Sequence, residues 1–362
     1  MSKYSSRSKK DLFLYALCLL SLLFFLMAKI VPSHETRALK EEMIAASEIM
    51  SKAMEILRDC RETKNLGIDS SSDVNRTGII GIRSSPITTT LGSLEAKRTS
   101  ANPNFAGLLV FLLRQAGVDS KDTIAVGASG SFPGLILAVL SAAKAMDLEP
   151  LFLASIGASQ WGANHTDFHW LHMQACLLQK EIFSFEPLAI SMGGDLDLGR
   201  DMQEEGCALL ARDMAEAGFP IISEGDLSKN VESKMQFYLQ KASNKKIKAF
   251  VNIGGSWSNL GIDSEILHLE AGLGNISRLP PKEKRGVLYA MAALGIPVIH
   301  LLYIRGLVQR YGLPWDPTPL PRPGQGGLYI RMDENQKSFL WISAVYLVLM
   351  GVFLVVGIKA ST

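Results

Sequence analysis

The segment Thr123-Ile-Ala-Val-Gly-Ala-Ser-Gly-Ser-Phe-Pro-Gly134 joins a mostly apolar run to a loop of glycine and serine. Residues 123–126 have the composition of a buried strand, and residues 132–146 have the length and apolar content of a helix. A strand followed by a short loop and a helix is the unit from which parallel sheets are built. The segment therefore predicts an α/β fold.

The same alternation continues along most of the chain. Further strands are predicted at 78–82, 151–156, 188–192, 220–222, 247–253 and 297–302. Further helices are predicted at 105–116, 167–180, 200–217, 227–241 and 281–294. Apolar strands separated by helices of this length indicate a mainly parallel sheet with helices on both faces.

Two uncharged apolar runs, 12–28 and 339–358, lie near the ends of the chain. Each approaches the roughly 20 residues that a helix needs to cross a bilayer. A basic tail precedes the first run, and such a tail is retained in the cytoplasm. We therefore expect a two-pass membrane protein with its main domain on the extracytoplasmic side.

These features divide the chain into seven predicted regions. They are a cytoplasmic tail (1–11), a transmembrane helix (12–31), a juxtamembrane helix and hinge (32–75), an α/β domain (76–313), a Pro/Gly-rich arm (314–338), a second transmembrane helix (339–358) and a cytoplasmic tail (359–362). Apolar residues on the juxtamembrane helix form one seam. That seam either packs on its own domain or joins two copies through residues 35–64.

Three loops rich in glycine and serine follow predicted strands, at 127–134, 157–164 and 254–261. Ligands of open α/β sheets bind beyond the carboxyl ends of the strands. Ser131 is expected to cap the helix begun by Pro133, which would leave amides near Gly130 free for an anion. The candidate ligand-binding residues are Gly127, Ser129, Gly130, Ser131, Ser159, Gln160, Trp161, Asn164, Gly254, Gly255, Ser256, Trp257 and Asn259, with Lys97 and Arg98 as cationic contacts.

Catalytic chemistry has weaker support in the sequence. Ser129 and Ser131 are candidate nucleophiles, but the loop does not match the Gly-x-Ser-x-Gly pattern of hydrolases, and no base is identifiable. Neither a P-loop nor a dinucleotide fingerprint is present. A net charge of +2 without a basic tract argues against a nucleic-acid partner. Binding without covalent chemistry and without a cofactor is therefore expected.

A stripe of possible metal ligands runs along 165–176. His169, His172 and Cys176 recur at helical spacing, and histidine and cysteine are good zinc ligands. No second ligand cluster is visible elsewhere in the sequence, so no metal site is predicted. The presumed outer domain has three cysteines, an odd number, and the sequence leaves their pairing open.

Several segments together resemble the poly-gamma-glutamate system protein family. They are Gly78-Ile-Ile-Gly81, Ser85-Pro-Ile-Thr-Thr89, Lys97-Arg-Thr-Ser-Ala-Asn-Pro-Asn-Phe105, Gly127-Ala-Ser-Gly-Ser-Phe-Pro133 and Gly157-Ala-Ser-Gln-Trp-Gly-Ala-Asn164. The resemblance implies a role in bacterial poly-γ-glutamate production or export, and it implies no reaction. With it, the two predicted spans are expected to cross the bacterial inner membrane.

The leading hypothesis is an accessory component that binds poly-γ-glutamate or a subunit of its synthesis or export machinery. The first alternative is a γ-glutamyl hydrolase or transferase that uses a loop serine. The second alternative is an assembly scaffold that binds no ligand.

Overall fold

A computed structural model of the protein describes residues 14–26, 34–243, 245–333 and 336–359. Its centre is a seven-stranded sheet: β1 (Thr123–Ser129), β2 (Glu149–Ser155), β3 (Ala189–Ser191), β4 (Ile221–Ile222), β5 (Ile247–Ile253), β6 (Gly272–Leu273) and β7 (Val298–Leu301). All pairings are parallel except β6 with β7. The fold is α/β with a mostly parallel sheet.

Within residues 41–327, helices connect and cover the strands. The helices of the whole described chain are α1 (14–26), α2 (His34–Thr63), α3 (Leu94–Ser100), α4 (Asn104–Gln115), α5 (Pro133–Ala145), α6 (Trp170–Gln179), α7 (Glu204–Ala217), α8 (Leu227–Ala242), α9 (Trp257–Leu260), α10 (Val287–Ala293), α11 (Ile304–Tyr311), α12 (Gly327–Asp333) and α13 (Gln336–Lys359). The strands of the sheet are almost entirely buried, as expected for a parallel sheet covered on its faces.

The strand order is β4-β3-β2-β1-β5-β7-β6. From β1 the chain adds strands in one direction through β4 and then returns to place β5 on the other side of β1. The connections after β1 and β5 therefore leave the sheet in opposite directions. Such a switch point opens a crevice at the carboxyl ends of the two strands, where doubly wound sheets bind their ligands.

The long helix α2 packs on the sheet domain with its apolar seam. Met43, Ala46, Met50, Ala53 and Leu57 are fully buried. This burial matches the first interpretation of the seam and leaves these side chains unavailable to a second copy. Further along α2, Cys60 forms a disulfide with Cys176 of α6, 116 residues away.

We expect the Cys60→Ser substitution to lower the free energy of unfolding by about 2–4 kcal/mol, because it releases a long loop in the unfolded chain. Denaturant unfolding without reductant measures the change. The control is Cys207→Ser, which alters a free thiol and is expected to have a small effect. An unchanged unfolding midpoint for Cys60→Ser would contradict the prediction.

The prediction of two transmembrane helices is wrong. Within the described ranges, the structure contains no helix with both the length and the apolar character to cross a bilayer. The two-pass inner-membrane localisation is corrected with it. The predicted tail at 1–11 lies outside the described residues, as do residues 360–362 of the tail predicted at 359–362.

The chain divides into two compact units, and the boundaries differ from the predicted ones. One unit comprises residues 1–40 and 328–362, and the other comprises residues 41–327. In the first unit, the Ser21 and Tyr346 hydroxyls lie 2.6 Å apart, and the Phe24 ring packs against Tyr346. The second unit contains the whole sheet.

The Pro/Gly-rich arm is held on the sheet domain as far as residue 327. The Asp316 amide donates to Thr99 at 2.8 Å, and the Asn75 side chain donates to the Pro317 carbonyl. Asn104 donates to the carbonyls of Arg322 and Gln325. These bonds place the arm beside α3, at the edge of the cavity described below.

Candidate functional site

A cavity of about 460 Å³ lies at the carboxyl edge of the sheet. It spans the switch point: Ser129 ends β1, and Ser256 and Trp257 follow β5. Ser159 follows β2, and Tyr303 follows β7. Because all four strands point the same way, their following loops meet at one edge. The volume is within the range of small-molecule pockets.

The first glycine-serine loop differs from its predicted geometry. The residue that precedes α5 is Phe132, and Ser131 does not cap the helix. The Gly130 amide donates to the Ser155 carbonyl at 2.8 Å, so it is not free for an anion. A Cβ at Gly130 would lie 2.5 Å from the Ile156 carbonyl. Glycine is required here for close packing of two loops, and the predicted cradle of free amides is wrong.

Part of the second loop has a structural role. Asn164 is fully buried; its side chain accepts from the Ile82 amide at 2.9 Å and donates to the Ile82 carbonyl at 2.8 Å. The Trp161 amide and carbonyl bond to Ile82 and Gly81. The segment predicted as a strand at 78–82 is therefore held by the loop without forming a strand of the sheet. These two residues, predicted to contact ligand, do not line the cavity.

The segment 84–93 forms one wall of the cavity. The Thr89 amide donates to the Ala158 carbonyl at 3.0 Å, and the Gln160 amide donates to Thr90. The wall residues are Thr89, Thr90, Leu91, Gly92 and Ser93. None of these wall residues is among the ligand contacts predicted from the sequence.

Lys97 is the central cation of the cavity wall. It lies on α3, one turn after the capping residue Ser93, and is 3% exposed. Its Nζ donates to the Ser131 carbonyl at 2.5 Å and to the Ser159 hydroxyl at 2.9 Å. The ammonium also lies 3.6 Å from the centre of the Phe132 ring. These contacts hold the amine at the junction of the first two glycine-serine loops.

No carboxylate among the described residues pairs with Lys97. Burial lowers its pKa from 10.5 to about 7, because the charged form loses its hydration without gaining an opposite charge. With this pKa, the amine is partly charged and partly neutral close to neutral pH. A lysine in this state is a common feature of ligand and catalytic sites.

The other predicted cation, Arg98, faces a different partner. Its guanidinium makes a two-point ion pair with Asp316 of the arm, and one of these contacts measures 2.7 Å. Arg98 does not line the cavity, so the pair fixes the arm on α3. An unpredicted cation, Arg305, lies exposed at the rim, with its guanidinium 4.5 Å from the centre of the Trp315 ring.

A buried ion pair supports the floor of the cavity. The Lys234 ammonium of α8 lies 2.7 Å from Asp197, and both side chains are at most 3% exposed. Asp197 accepts hydrogen bonds from Ser155 and Ser191, the last residues of β2 and β3. Lys234 also donates to Ser258 of α9 at 2.6 Å. The pair thus joins the carboxyl ends of two strands to two helices around the site.

The structure brings about half of the predicted ligand residues together. Those lining the cavity are Ser129, Ser131, Ser159, Gly255, Ser256, Trp257 and Lys97. The others, which do not line it, are Gly127, Gly130, Gln160, Trp161, Asn164, Gly254, Asn259 and Arg98. Gly127 and Asn259 pack on each other, since a Cβ at Gly127 would lie 2.5 Å from the Asn259 amide nitrogen. Gly254 lies against Ser129.

The predicted nucleophiles have no base beside them. The Ser129 hydroxyl accepts from the Ser131 amide, and the Ser131 hydroxyl accepts from the Ser159 amide. In the described part of the chain, no serine hydroxyl bonds to a histidine. The serine that contacts a possible base is Ser159, whose hydroxyl lies 2.9 Å from the Lys97 amine.

The predicted metal-ligand stripe is separate from the cavity. Cys176 is committed to its disulfide with Cys60 and is not a free ligand. His169 and His172 lie at the start of α6, and neither lines the cavity.

Comparison of the chain with protein-family models, curated proteins and solved structures finds no match.

Proposed function

We propose that the cavity binds an anionic ligand through the Lys97 amine. The observation that carries the proposal is a buried ammonium on the cavity wall with no carboxylate partner among the described residues. Burying a cation without a counter-ion is costly, and an incoming carboxylate or phosphate group offsets that cost. The hydroxyls of Ser129, Ser131 and Ser256 offer neutral hydrogen bonds around the same space.

The ligand that we propose is poly-γ-glutamate or its chain end, in an accessory role in the production or export of the polymer. The sequence resemblance points to this polymer, and the polymer has one carboxylate per residue. Lys97 would bind one carboxylate inside the cavity, and Arg305 at the rim would face the next part of the chain. A scaffold without a ligand is less well supported, because it gives no role to a buried unpaired amine beside a cavity.

The test measures retention of poly-γ-glutamate by the purified protein and, separately, the length of the polymer afterwards. We expect Lys97→Met to weaken binding by roughly 10- to 150-fold, because a charge-assisted hydrogen bond contributes about 1.5–3 kcal/mol. The matched control is Lys52→Met, which removes an exposed lysine of α2 and should bind like the native chain. Equal retention by both variants would contradict the proposal, provided that thermal unfolding shows Lys97→Met to be folded.

A second candidate function rests on the contact between Ser159 and Lys97. With its amine neutral, Lys97 would accept the Ser159 proton as the hydroxyl oxygen attacks the carbonyl carbon of a γ-amide. The amine would then return the proton to the leaving nitrogen, and water would hydrolyse the ester. Shortened polymer that disappears with Ser159→Ala, while retention persists, would favour this hydrolase over simple binding.

A further inference from the structure

A second cluster of chemically competent side chains lies where α6 meets α7. His169 precedes α6, His172 is in its first turn, and Asp213 is on α7. The His169 Nε2 atom lies 2.9 Å from the Asp213 carboxylate, and the two imidazole rings are 4.2 Å apart. One potential ligand atom from each residue falls within 4.8 Å of the others. This geometry brings two nitrogen donors and one oxygen donor to a common point.

The cluster leaves polar atoms without partners. His169 is fully buried, and its Nδ1 has no hydrogen-bond partner. The buried Nδ1 of His172 also lacks one. A buried polar atom without a partner costs about 1–3 kcal/mol, so two in adjacent rings need an explanation. An ion bound at the Nδ1 of His172 would give that atom a partner, whereas an ion shared with Asp213 would bind His169 through Nε2, the atom that faces the carboxylate.

Both rings are in the form that binds metals. Burial lowers the pKa of His169, and burial together with the neighbouring His169 lowers the pKa of His172 to about 4. Neutral imidazole keeps a lone pair for coordination. The Arg212 guanidinium contacts the other oxygen of the Asp213 carboxylate at 3.0 Å.

The cluster is also firmly positioned. Cys176 lies one helical turn after His172, and its disulfide fixes α6 against α2. A metal site needs ligands that are held in place before the ion arrives, because ordering them would reduce the affinity. The tether meets that need for the two histidines, although Cys176 itself is not a ligand.

We propose that His169, His172 and Asp213 form a binding site for a divalent transition metal, of which zinc fits best. Two imidazoles and one carboxylate are a ligand set that zinc accepts, and water would take the fourth tetrahedral position. Hard cations such as Mg²⁺ and Ca²⁺ prefer oxygen ligands and are disfavoured by the two nitrogens. The sequence analysis expected no metal because it found no complementary ligand, and Asp213 is that ligand.

The test is zinc titration of the full chain after removal of metals with a chelator. We expect one zinc per chain, with a rise in melting temperature because zinc binds the folded state. His172→Ala should weaken zinc binding by at least about 100-fold, the upper end of the loss seen on removing a second-shell partner. His268→Ala, which changes an exposed histidine outside the cluster, is the matched control and should bind like the native chain.

Cobalt(II) gives a second readout that does not depend on stability. The visible absorption of four-coordinate cobalt should appear on addition to the native chain and the His268→Ala variant, and be lost in Asp213→Asn. Zinc uptake that is equal in the native chain and His172→Ala would overturn the proposal. The absence of uptake by the native chain would overturn it as well, and would identify the cluster as a hydrogen-bonded His–Asp pair only.

Discussion

Replacing Asp197 by Asn is expected to lower the free energy of unfolding by about 3–5 kcal/mol. The substitution leaves the Lys234 ammonium buried without its counter-ion, 3% exposed and 2.7 Å from a neutral amide. It also weakens the acceptor shared by Ser155 and Ser191. Asp197 has a φ of 66°, which asparagine tolerates well, so the change tests charge and not backbone strain.

Denaturant unfolding of the native chain and of Asp197→Asn measures this loss. Asp195→Asn makes the same chemical change in the same turn at a partly exposed position, and should alter stability little. Adding Lys234→Met to Asp197→Asn removes the stranded cation, so the double variant should lose less stability than the two single changes together. Strictly additive losses would show that the pair is not coupled.

The same pair connects stability to the site. Ser155 lines the cavity, and its hydroxyl donates to Asp197, so loss of the carboxylate releases a side chain of the cavity floor. Ser258 is held by Lys234 and lies 3.5 Å from the Ser256 hydroxyl, which also faces the cavity. Loss of the ion pair between Asp197 and Lys234 would therefore alter the cavity through the hydrogen bonds of Ser155 and Ser258.

Most strands of the sheet could be predicted from the sequence, because the central strands are apolar runs. The strand at 247–253 was predicted with the bounds that the structure has. The antiparallel strand Gly272–Leu273 has only two residues and leaves no periodicity to detect. The helix predicted from residue 281 begins at Val287, because residues 282–284 form a separate 3-10 turn. The local pattern of apolar residues therefore predicts the longer strands and helices, but it does not predict where an element ends when tertiary contacts set that end.

The residues of the site could be predicted from the sequence only in part, because its main side-chain contacts join segments that are far apart in the chain. Position at the strand ends identified the loop serines, but Lys97 meets Ser159 across 62 residues of sequence. Similarly, Asp213 lies 44 residues after the histidine that it contacts. Sequence also cannot distinguish a glycine that faces a ligand from one that packs on backbone, as Gly130 does.

The membrane prediction failed for a different reason. It treated two uncharged runs as helices of nearly the length needed to cross a bilayer. Among the described residues, none of those helices has the combination of length and apolar character that a span requires. The proposal for the cavity does not depend on this point, because it rests on contacts within residues 41–327.

Binding of poly-γ-glutamate should weaken as pH rises through 7. The free protein holds the pKa of Lys97 at about 7 through burial. Below pH 7 the amine is already charged, so affinity is at its highest and changes little with pH. Above pH 7 binding must first place a proton on the amine, and affinity falls by up to tenfold per pH unit. Between pH 6 and 8.5 the expected loss is roughly 30-fold.

The sign of this effect separates the two candidate functions. The free carboxylates of the polymer are α-carboxyl groups with an ordinary pKa of about 3.3–3.7, so they stay ionised throughout this range and the dependence must come from the protein. A hydrolase that uses Lys97 as the base for Ser159 needs the neutral amine, so its turnover would rise through the same pH.

Measuring affinity by calorimetry and polymer cleavage by chain length, each at pH 6, 7 and 8.5, gives both curves. Lys52→Met should keep the native curve, whereas Lys97→Met should bind weakly at every pH. If the affinity of the native chain does not fall between pH 6 and 8.5, Lys97 does not bind the ligand through its charge. If cleavage increases over the same interval, Lys97 acts as the catalytic base instead.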